Sequence, residues 1–215
     1  MSHLANPSDR PGSASRAQRA LERLRTTKGG YHDSKLGLRV CNIVVGEYLV
    51  SGDPNVVIAT TLGSCVSVCL FDPIAAIGGM NHFLLAESAH DRLSASARYG
   101  AAAMELLINK VMRATHRRDR LRAKVFGGGK VIQGVTDVGS RNVEFVMEYL
   151  AEEGIPTVGW DVGGSQARGI RFYPTTGRSQ RRLLGEENTR NVVRSEASFA
   201  ETLRAKPVEG EIELF

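Results

Sequence analysis

A cysteine that follows a Gly-Ser pair is the residue of this sequence best placed to do chemistry. Cys65 comes directly after Gly63 and Ser64, at a corner between two runs rich in β-branched residues. Such a corner can project the thiol outward while neighbouring backbone N–H groups converge, which supplies both the nucleophile and the oxyanion hole of thiol acyl transfer. Because a cysteine is also commonly a small core residue, the pattern predicts a nucleophile only if a base accompanies it.

His82 is the histidine placed to serve as that base. It lies in the apolar segment Gly78–Leu85, whereas the other four histidines lie near the N-terminus or in polar stretches. Paired with Cys65, its imidazole would deprotonate the thiol and then protonate a departing amine. In isolation, a histidine between Asn81 and Phe83 is equally compatible with a buried structural residue.

The remaining cysteines, Cys41 and Cys69, lie in apolar runs and are predicted to be core thiols. The spacing of Cys65, Cys69 and His82 is similar to part of a zinc-finger pattern, but no fourth ligand follows His82 at the required distance. If residues 65–69 are extended, their ends are about 13 Å apart, whereas two thiolates on one zinc ion are only about 4 Å apart. We therefore expect neither a metal site nor a disulfide there.

The apolar patterns along the chain predict more strands than helices. The predicted strands are apolar or β-branched runs bounded by turn residues, such as Ser-Gly-Asp-Pro-Asn at 51–55. They lie at Val40–Val50, Val56–Thr61, Val66–Phe71, Ile77–Leu85, Pro156–Trp160 and Gly169–Tyr173. Because no βαβ alternation runs through the chain, we predict an α+β fold with antiparallel or mixed sheets.

Two helices are predicted from apolar residues that recur every three or four positions. The stripe of the first is Met104, Leu107, Ile108 and Val111. In the second, Ser140 caps the N-terminus, Gly154 suits the left-handed position after the C-terminus, and Pro156 prevents continuation. The stripe of the second is Val143, Val146, Met147 and Leu150.

Composition and charge describe the chain as a whole. Of its 215 residues, 42% are hydrophobic and 24% are charged, as in an ordinary globular domain. We divide the chain into a basic, flexible extension at 1–35, a folded domain at 36–190 and a C-terminal tail at 191–215. The extension carries +4 of the net charge of +5, and a near-neutral body without a nucleic-acid motif predicts no nucleic-acid binding.

Cellular location is inferred from what the sequence lacks. No apolar stretch approaches the roughly 18 residues of a membrane helix, and the first residues show no apolar targeting segment. A sparse and odd number of cysteines, three, favours a reducing compartment. We therefore expect a cytoplasmic protein that does not insert into a membrane.

Seven short blocks of sequence occur in order between residue 40 and about residue 184. They are Leu62–Val66, Cys69–Pro73, Gly78–Phe83, Lys124–Gly129, Gly139–Asn142, Asp161–Gly164 with Arg168, and Pro174–Gly177. Together they resemble the CheD family of chemoreceptor glutamine deamidases. The resemblance implies a layered α+β sandwich, with a central antiparallel or mixed β core and outer helices.

The resemblance also implies an activity and its residues. The reaction is hydrolysis of glutamine side chains on chemoreceptors to glutamate and ammonia, without a cofactor. The nucleophile of the family falls on Cys65, its histidine on His82 and its third catalytic residue on Thr60, with Thr61 in reserve. The residues expected to bind substrate are Gly63, Ser64, Asn81, Gly128, Asp161 and Arg168, of which Asp161 and Arg168 are equally suited to holding a turn. Gly127–Gly129 is also predicted to approach neighbouring backbone or substrate closely.

Partners and rival functions complete these expectations. The partners implied are the cytoplasmic helical bundle of a chemoreceptor and a chemotaxis phosphatase of the CheC type. The basic run Arg113–Lys124 is a candidate surface for steering such a bundle toward the cleft, although a solvated helix end and loop is the more ordinary interpretation. One rival is a non-catalytic chemotaxis adaptor that uses the cleft only for binding, and another is a transglutaminase that passes the acyl group to an amine.

Overall fold

A computed structural model describes residues 30–85, 95–131 and 138–205 of the chain. Most of the predicted N-terminal extension and the last ten residues of the predicted tail lie outside these ranges. The strands are β1 (Tyr31–Asp33), β2 (Leu38–Asn42), β3 (Tyr48–Ser51), β4 (Val56–Leu62), β5 (Val66–Asp72), β6 (Ile77–Asn81), β7 (Arg122–Gly127), β8 (Thr157–Val162), β9 (Arg168–Tyr173) and β10 (Arg178–Leu183). The helices are α1 (Ala95–Thr115), α2 (Val138–Glu152) and α3 (Glu186–Ala205), with a 3-10 turn at Arg118–Arg120.

The strands form two five-stranded mixed sheets. Sheet A has the order β1-β2-β4-β9-β10 and sheet B the order β3-β6-β5-β7-β8. Each sheet contains one parallel pair, β2 with β4 in sheet A and β7 with β8 in sheet B, and its other neighbours are antiparallel. The predicted α+β class with a mixed β core is confirmed.

The two sheets pack face to face and enclose one apolar core. This core includes Ile58, Leu62, Ile170 and Phe172 from sheet A and Cys69, Phe71, Met80 and Phe126 from sheet B. The opposite face of sheet B carries a second core, which α1 and α2 cover. All seven residues of β5 are therefore buried, because this central strand has sheet A on one face and helices on the other.

Both predicted helices are present. Met104, Leu107, Ile108 and Val111 of α1 are all buried against sheet B, which confirms the predicted stripe. The helix α2 begins at Val138, so Ser140 lies in its first turn and the predicted N-cap at that residue is wrong. The predicted C-terminal stop is confirmed, since Gly154 has φ +64°.

Two predicted strands are shorter in the structure. The run Val40–Val50 is divided into β2 and β3 by a turn at Gly46, whose φ of +90° no strand can hold. The strand predicted at Ile77–Leu85 ends at Asn81. Beyond it, Phe83 forms an isolated antiparallel bridge with Val66. His82 consequently lies just past a strand end and not within a strand.

The polar elements at the two ends of the described chain were not predicted. The strand β1 lies within the segment assigned to the extension, and β10 is an exposed edge strand with three arginines. The helix α3 crosses the boundary placed at residue 190. None of the described helices is long and apolar enough to cross a membrane.

The basic run lies at the far end of the sheet from Cys65. Arg122 begins β7 and Gly127 ends it, so the two are separated by about 17 Å at 3.3 Å per residue. Two arginines of the run also form ion pairs, Arg117 with Asp119 and Arg118 with Glu153. The run therefore does not border the Cys65 corner, and we expect it to contribute little to steering a receptor toward that corner.

Candidate active site

The corner that carries Cys65 connects β4 to β5, which are strands of different sheets. The chain leaves sheet A at Leu62 and enters sheet B at Val66. Crossing between two packed sheets within three residues requires a sharp turn, and Gly63 supplies it without a side chain. Cys65 itself is fully buried.

The glycine run Gly127–Gly129, at the end of β7, supports this corner through backbone hydrogen bonds. The N–H groups of Gly128 and Gly129 donate to the carbonyl oxygens of Cys65 and Gly63, both at 2.7 Å. Gly127 has φ +106°, and a Cβ added there would lie 2.1 Å from the carbonyl oxygen of Cys65. The close backbone approach predicted for this run is confirmed.

Asn142 of α2 holds the same corner from the helical side and was not among the predicted site residues. Its Nδ2 donates to the carbonyl oxygen of Ser64 and its Oδ1 accepts from the N–H of Leu85, both at 2.9 Å. The side chain is fully buried. Asn142, Val146 and Leu150 are four residues apart and therefore lie on the same buried face of α2. A polar residue on an apolar helix face was the sequence signal that could have identified Asn142.

Three successive backbone N–H groups of the corner converge on one carboxylate. Oε1 of Glu196, from α3, accepts from Gly63 at 2.8 Å and from Cys65 at 3.2 Å. Oε2 accepts from the N–H of Ser64 at 2.8 Å and from its hydroxyl at 2.7 Å. The next N–H along the chain, that of Val66, donates to the carbonyl of Phe83 instead. The convergent donors are therefore those of residues 63, 64 and 65.

Thr60 determines which nitrogen of His82 carries the proton. Oγ1 of Thr60 lies 2.8 Å from the carbonyl oxygen of Ile43 and 2.8 Å from Nδ1 of His82. The carbonyl can only accept, so the hydroxyl proton goes to it and Nδ1–H of His82 donates to Oγ1. The lone pair is then on Nε2, which is buried without a hydrogen-bond partner among the described residues. Thr61, the reserve candidate, is exposed on the other face of β4.

Cys65, His82 and Glu196 meet at the end of the sandwich. Sγ, a ring nitrogen and a carboxylate oxygen all lie within 4.8 Å of one another. Burial, and then the charge of Glu196, raises the pKa of the Cys65 thiol well above its ordinary value. Burial lowers the pKa of His82 to about 4 against the opposing charge of Glu196. With Glu196 in place, the pair is therefore a neutral thiol beside a neutral imidazole.

The surroundings of this cluster favour an anion over a cation. Both oxygens of Glu196 already accept two hydrogen bonds each, and Nδ1 of His82 is bound to Thr60. Convergent N–H dipoles repel a cation and stabilise negative charge, as in the oxyanion holes of acyl-transfer enzymes.

Cys69 is buried between the sheets, where burial raises the pKa of its thiol strongly.

The residues predicted to bind substrate divide into two groups. Gly63 and Ser64 provide donors at the anion site, and Gly128 supports them through the carbonyl of Cys65. The side chains of Asn81, Asp161 and Arg168 are engaged within the fold instead. Arg168 is buried and binds Asp161 and the carbonyl of Gly163, so this pair holds a turn.

Asn81 is also engaged within the fold. Its Oδ1 accepts from the N–H of Val68 at 2.9 Å and its Nδ2 donates to the carbonyl of Ala103 at 3.2 Å. It thereby ties β5 to α1. The side chains of Asn81, Asp161 and Arg168 are thus engaged within the fold, and their contact with substrate stays a prediction.

Comparison with known proteins gives one consistent result. Residues 84–182 match the family model described as CheD chemotactic sensory transduction. The chain is 48% identical over 180 residues to a probable chemoreceptor glutamine deamidase CheD of Acidiphilium cryptum, covering 82% of this chain and 94% of that protein. A protein of the same name from Rhizobium leguminosarum is 48% identical, with 82% and 96% covered, and one from Caulobacter vibrioides is 45% identical, with 76% and 88% covered.

Among solved structures, the Bacillus licheniformis protein YfiH is similar over 63% of this chain and 61% of its own length. The sequence identity is 16% and the TM-score is 0.36.

Proposed function

The chain belongs to the CheD family, and from this premise we propose that it is a chemoreceptor glutamine deamidase that works through a Cys65 acyl-enzyme. In this reaction the side-chain amide of a receptor glutamine and one water become glutamate and ammonia. The relatives at 45–48% identity are named for this activity. Catalytic roles for Cys65, His82 and Thr60 are part of the proposal.

The observation that carries the proposal is the carboxylate of Glu196 in the anion site. The side chain of a glutamate is the product of glutamine deamidation. It lies here with one oxygen on the N–H groups of Gly63 and Cys65, and with both the thiol and His82 within 4.8 Å. A glutamine carboxamide has the same shape, and its carbonyl oxygen would accept from the same two N–H donors. Its NH2 group would then lie beside the hydroxyl of Ser64, which can accept from it.

The first half of the reaction begins with the thiol. Nε2 of His82 takes the proton of Cys65, and Sγ attacks the carboxamide carbon. The carbonyl oxygen becomes an oxyanion at the position of Glu196 Oε1, where the N–H groups of Gly63 and Cys65 stabilise it. Collapse of this intermediate breaks the C–N bond, and the proton held by His82 leaves with ammonia.

The second half returns the enzyme to its starting state. Neutral His82 removes a proton from water, and the resulting hydroxide attacks the thioester carbon in the same oxyanion hole. The C–S bond breaks, the proton on His82 returns to sulfur, and glutamate is released. Thr60 acts through His82, since it keeps the proton on Nδ1 and the lone pair on Nε2.

Partners and location follow from the same premise. We assign the substrate to the cytoplasmic helical bundle of a chemoreceptor and place the enzyme in the cytoplasm with it. A phosphatase of the CheC type is a second proposed partner, which the family resemblance suggests.

Ammonia release tests the proposed chemistry against its rivals. Purified enzyme and a chemoreceptor cytoplasmic fragment should release ammonia without any added amine. A transglutaminase would need an amine acceptor for sustained turnover, and an adaptor would bind the fragment without releasing ammonia. Either of those results would exclude the hydrolase.

A further inference from the structure

The helix α3 has an acidic residue at the centre of its inward stripe. The residues of this stripe recur at three- and four-residue intervals and are half-buried, apart from fully buried Glu196. They are Thr189, Val192, Val193, Glu196, Phe199, Ala200 and Leu203. An apolar residue is expected at the centre of such a stripe, and burying a carboxylate is costly unless donors surround it. The donors at Gly63, Ser64 and Cys65 compensate that cost here.

Apart from Glu196, the described side chains of α3 are at most half-buried against the rest of the fold. Among its side chains described by the structure, at 186–203, Glu196 alone is buried. Phe199 approaches Gly46, and Ala200 packs against the core between the sheets. Exposed Gly185 joins α3 to β10. A helix held by one buried polar residue and a few partial apolar contacts can leave its site at a modest cost in free energy.

While α3 is seated, the active site cannot turn over. Oε1 of Glu196 takes the N–H groups that an oxyanion would need. Its negative charge also disfavours the thiolate of Cys65, whose pKa it helps to raise. A substrate can therefore reach the nucleophile only after the carboxylate has moved away.

From these observations we propose that the surface under α3 is the docking groove for a substrate α-helix, and that α3 occupies it as an internal mimic of the product. Glu196 stands where the deamidated side chain of the substrate stands at the end of the reaction. This inference rests on the proposed function and names how the substrate is presented. The partner that fits is an amphipathic helix with glutamine at the centre of its apolar stripe.

The neighbours of Glu196 define what such a substrate helix should carry. One turn before it α3 places Val192 and Val193 against the fold, and one turn after it Phe199 and Ala200. Apolar residues three and four positions on either side of the glutamine, with room for an aromatic ring three positions after it, would reproduce these contacts. A glutamine on the charged face of a helix, or in an extended segment, would not be presented in the same way.

The first test replaces Glu196, the proposed product mimic, with glutamine, the proposed substrate side chain. In the full-length Glu196→Gln variant, Cys65 should deamidate residue 196 of its own chain, so the purified protein should carry glutamate there. Peptide mass spectrometry measures this, and the same variant with Cys65→Ala should retain glutamine completely. A folded Glu196→Gln protein that retains glutamine at 196 while Cys65 is intact would overturn the product-mimic position.

Access to the thiol is the second test. Iodoacetamide should alkylate Cys65 several-fold faster in full-length Glu196→Ala than in the wild type, because loss of the carboxylate opens the Cys65 corner and removes a charge that disfavours the thiolate. Glu201→Ala removes an exposed glutamate of the same helix and should alkylate at the wild-type rate. Equal rates in Glu196→Ala and the wild type would overturn the occlusion by α3.

Receptor assays separate this inference from the proposed function. If Glu196→Ala deamidates a chemoreceptor fragment no faster than the wild type, the blocking role of α3 fails while the deamidase stands. If neither protein deamidates any fragment but Glu196→Ala still alkylates faster, the proposed function fails while the occlusion stands.

Discussion

At the scale of single residues, the hydroxyl of Thr60 has the most specific role. It lies between the carbonyl of Ile43 and Nδ1 of His82, and so keeps the imidazole lone pair on Nε2. Thr60→Val removes this contact while keeping the shape of the side chain. We expect kcat to fall about ten- to a hundredfold, as when an orienting partner of a catalytic histidine is lost.

Two matched variants check the assignment to Thr60. Thr60→Ser retains the hydroxyl and should recover most of the activity, whereas Thr61→Val alters the exposed neighbour and should leave kcat unchanged. Ammonia release measures all three. If Thr60→Val and Thr61→Val were equally active, the hydroxyl would have no part in orienting His82.

His82 should also link the stability of the protein to pH. Burial lowers its pKa to about 4 from an ordinary 6.5. Between these values the unfolded chain binds a proton that the folded protein does not. The stabilisation is thus fully present above pH 6.5 and is lost as the pH falls toward 4.

Urea denaturation at pH 7 and pH 5 measures this linkage. The decrease in unfolding free energy between the two pH values should be smaller in His82→Gln than in the wild type. An identical decrease in both proteins would mean that His82 titrates normally in the folded state.

Residue type and sequence context singled out Cys65 and His82 as candidates, because each lies beside a readable strand, and the family resemblance singled out Thr60. Glu196 and Asn142 were not found. Both residues lie on helices and hydrogen-bond the backbone of the Cys65 corner. Their role therefore depends on which loop their helix packs against. The contact between Glu196 and Gly63 spans 133 positions, and no local pattern encodes such a pairing.

At the scale of elements, the glycine run Gly127–Gly129 at the end of β7 supports the Cys65 corner. A Cβ at Gly127 would lie 2.1 Å from the carbonyl of Cys65, and its φ of +106° is unfavourable for any other residue. Gly127→Ala should therefore displace the corner, lower the unfolding free energy by several kcal/mol and abolish most turnover.

Gly154 offers a matched control for this variant. It also has a positive φ, +64°, but nothing lies within 4 Å of an added Cβ. Gly154→Ala should cost only about 1 kcal/mol and leave turnover intact. Urea denaturation and ammonia release measure both variants. Equal effects at the two positions would show that the contact with Cys65 does not matter.

Elements with strong apolar periodicity were predictable, and polar ones were not. The stripe of α1 and the buried strands β4 and β5 follow from their residues. The edge strand β10 is mostly exposed, so hydrophobic periodicity gives little sign of it. The helix α3 does carry an apolar stripe, with Val192, Val193, Phe199 and Ala200 on one side, but Glu196 interrupts this stripe at its centre.

At the scale of the whole molecule, charge far from the site should matter little for catalysis. Arg117 and Arg118 pair with acids at the end of sheet B remote from Cys65. Their interaction with a receptor bound at the Cys65 end is screened, because the Debye length is about 8 Å at physiological salt. Replacing Arg117, Arg118 and Arg120 with glutamine should therefore leave KM for a chemoreceptor fragment unchanged. An increase in KM at 150 mM salt (about physiological) would contradict this.

The central claim, that Cys65 deamidates receptor glutamines, has one most direct measurement. A chemoreceptor is co-expressed with the wild type, with Cys65→Ala or with Cys69→Ala, and its peptides are analysed by mass spectrometry. Cys69 is a fair control because it is equally buried and four residues away but lies within β5, outside the cluster that Cys65 forms with His82 and Glu196. Gln-to-Glu conversion should appear with the wild type and with Cys69→Ala, and be absent with Cys65→Ala. Conversion that persists with folded Cys65→Ala, or its absence with the wild type, would contradict the account.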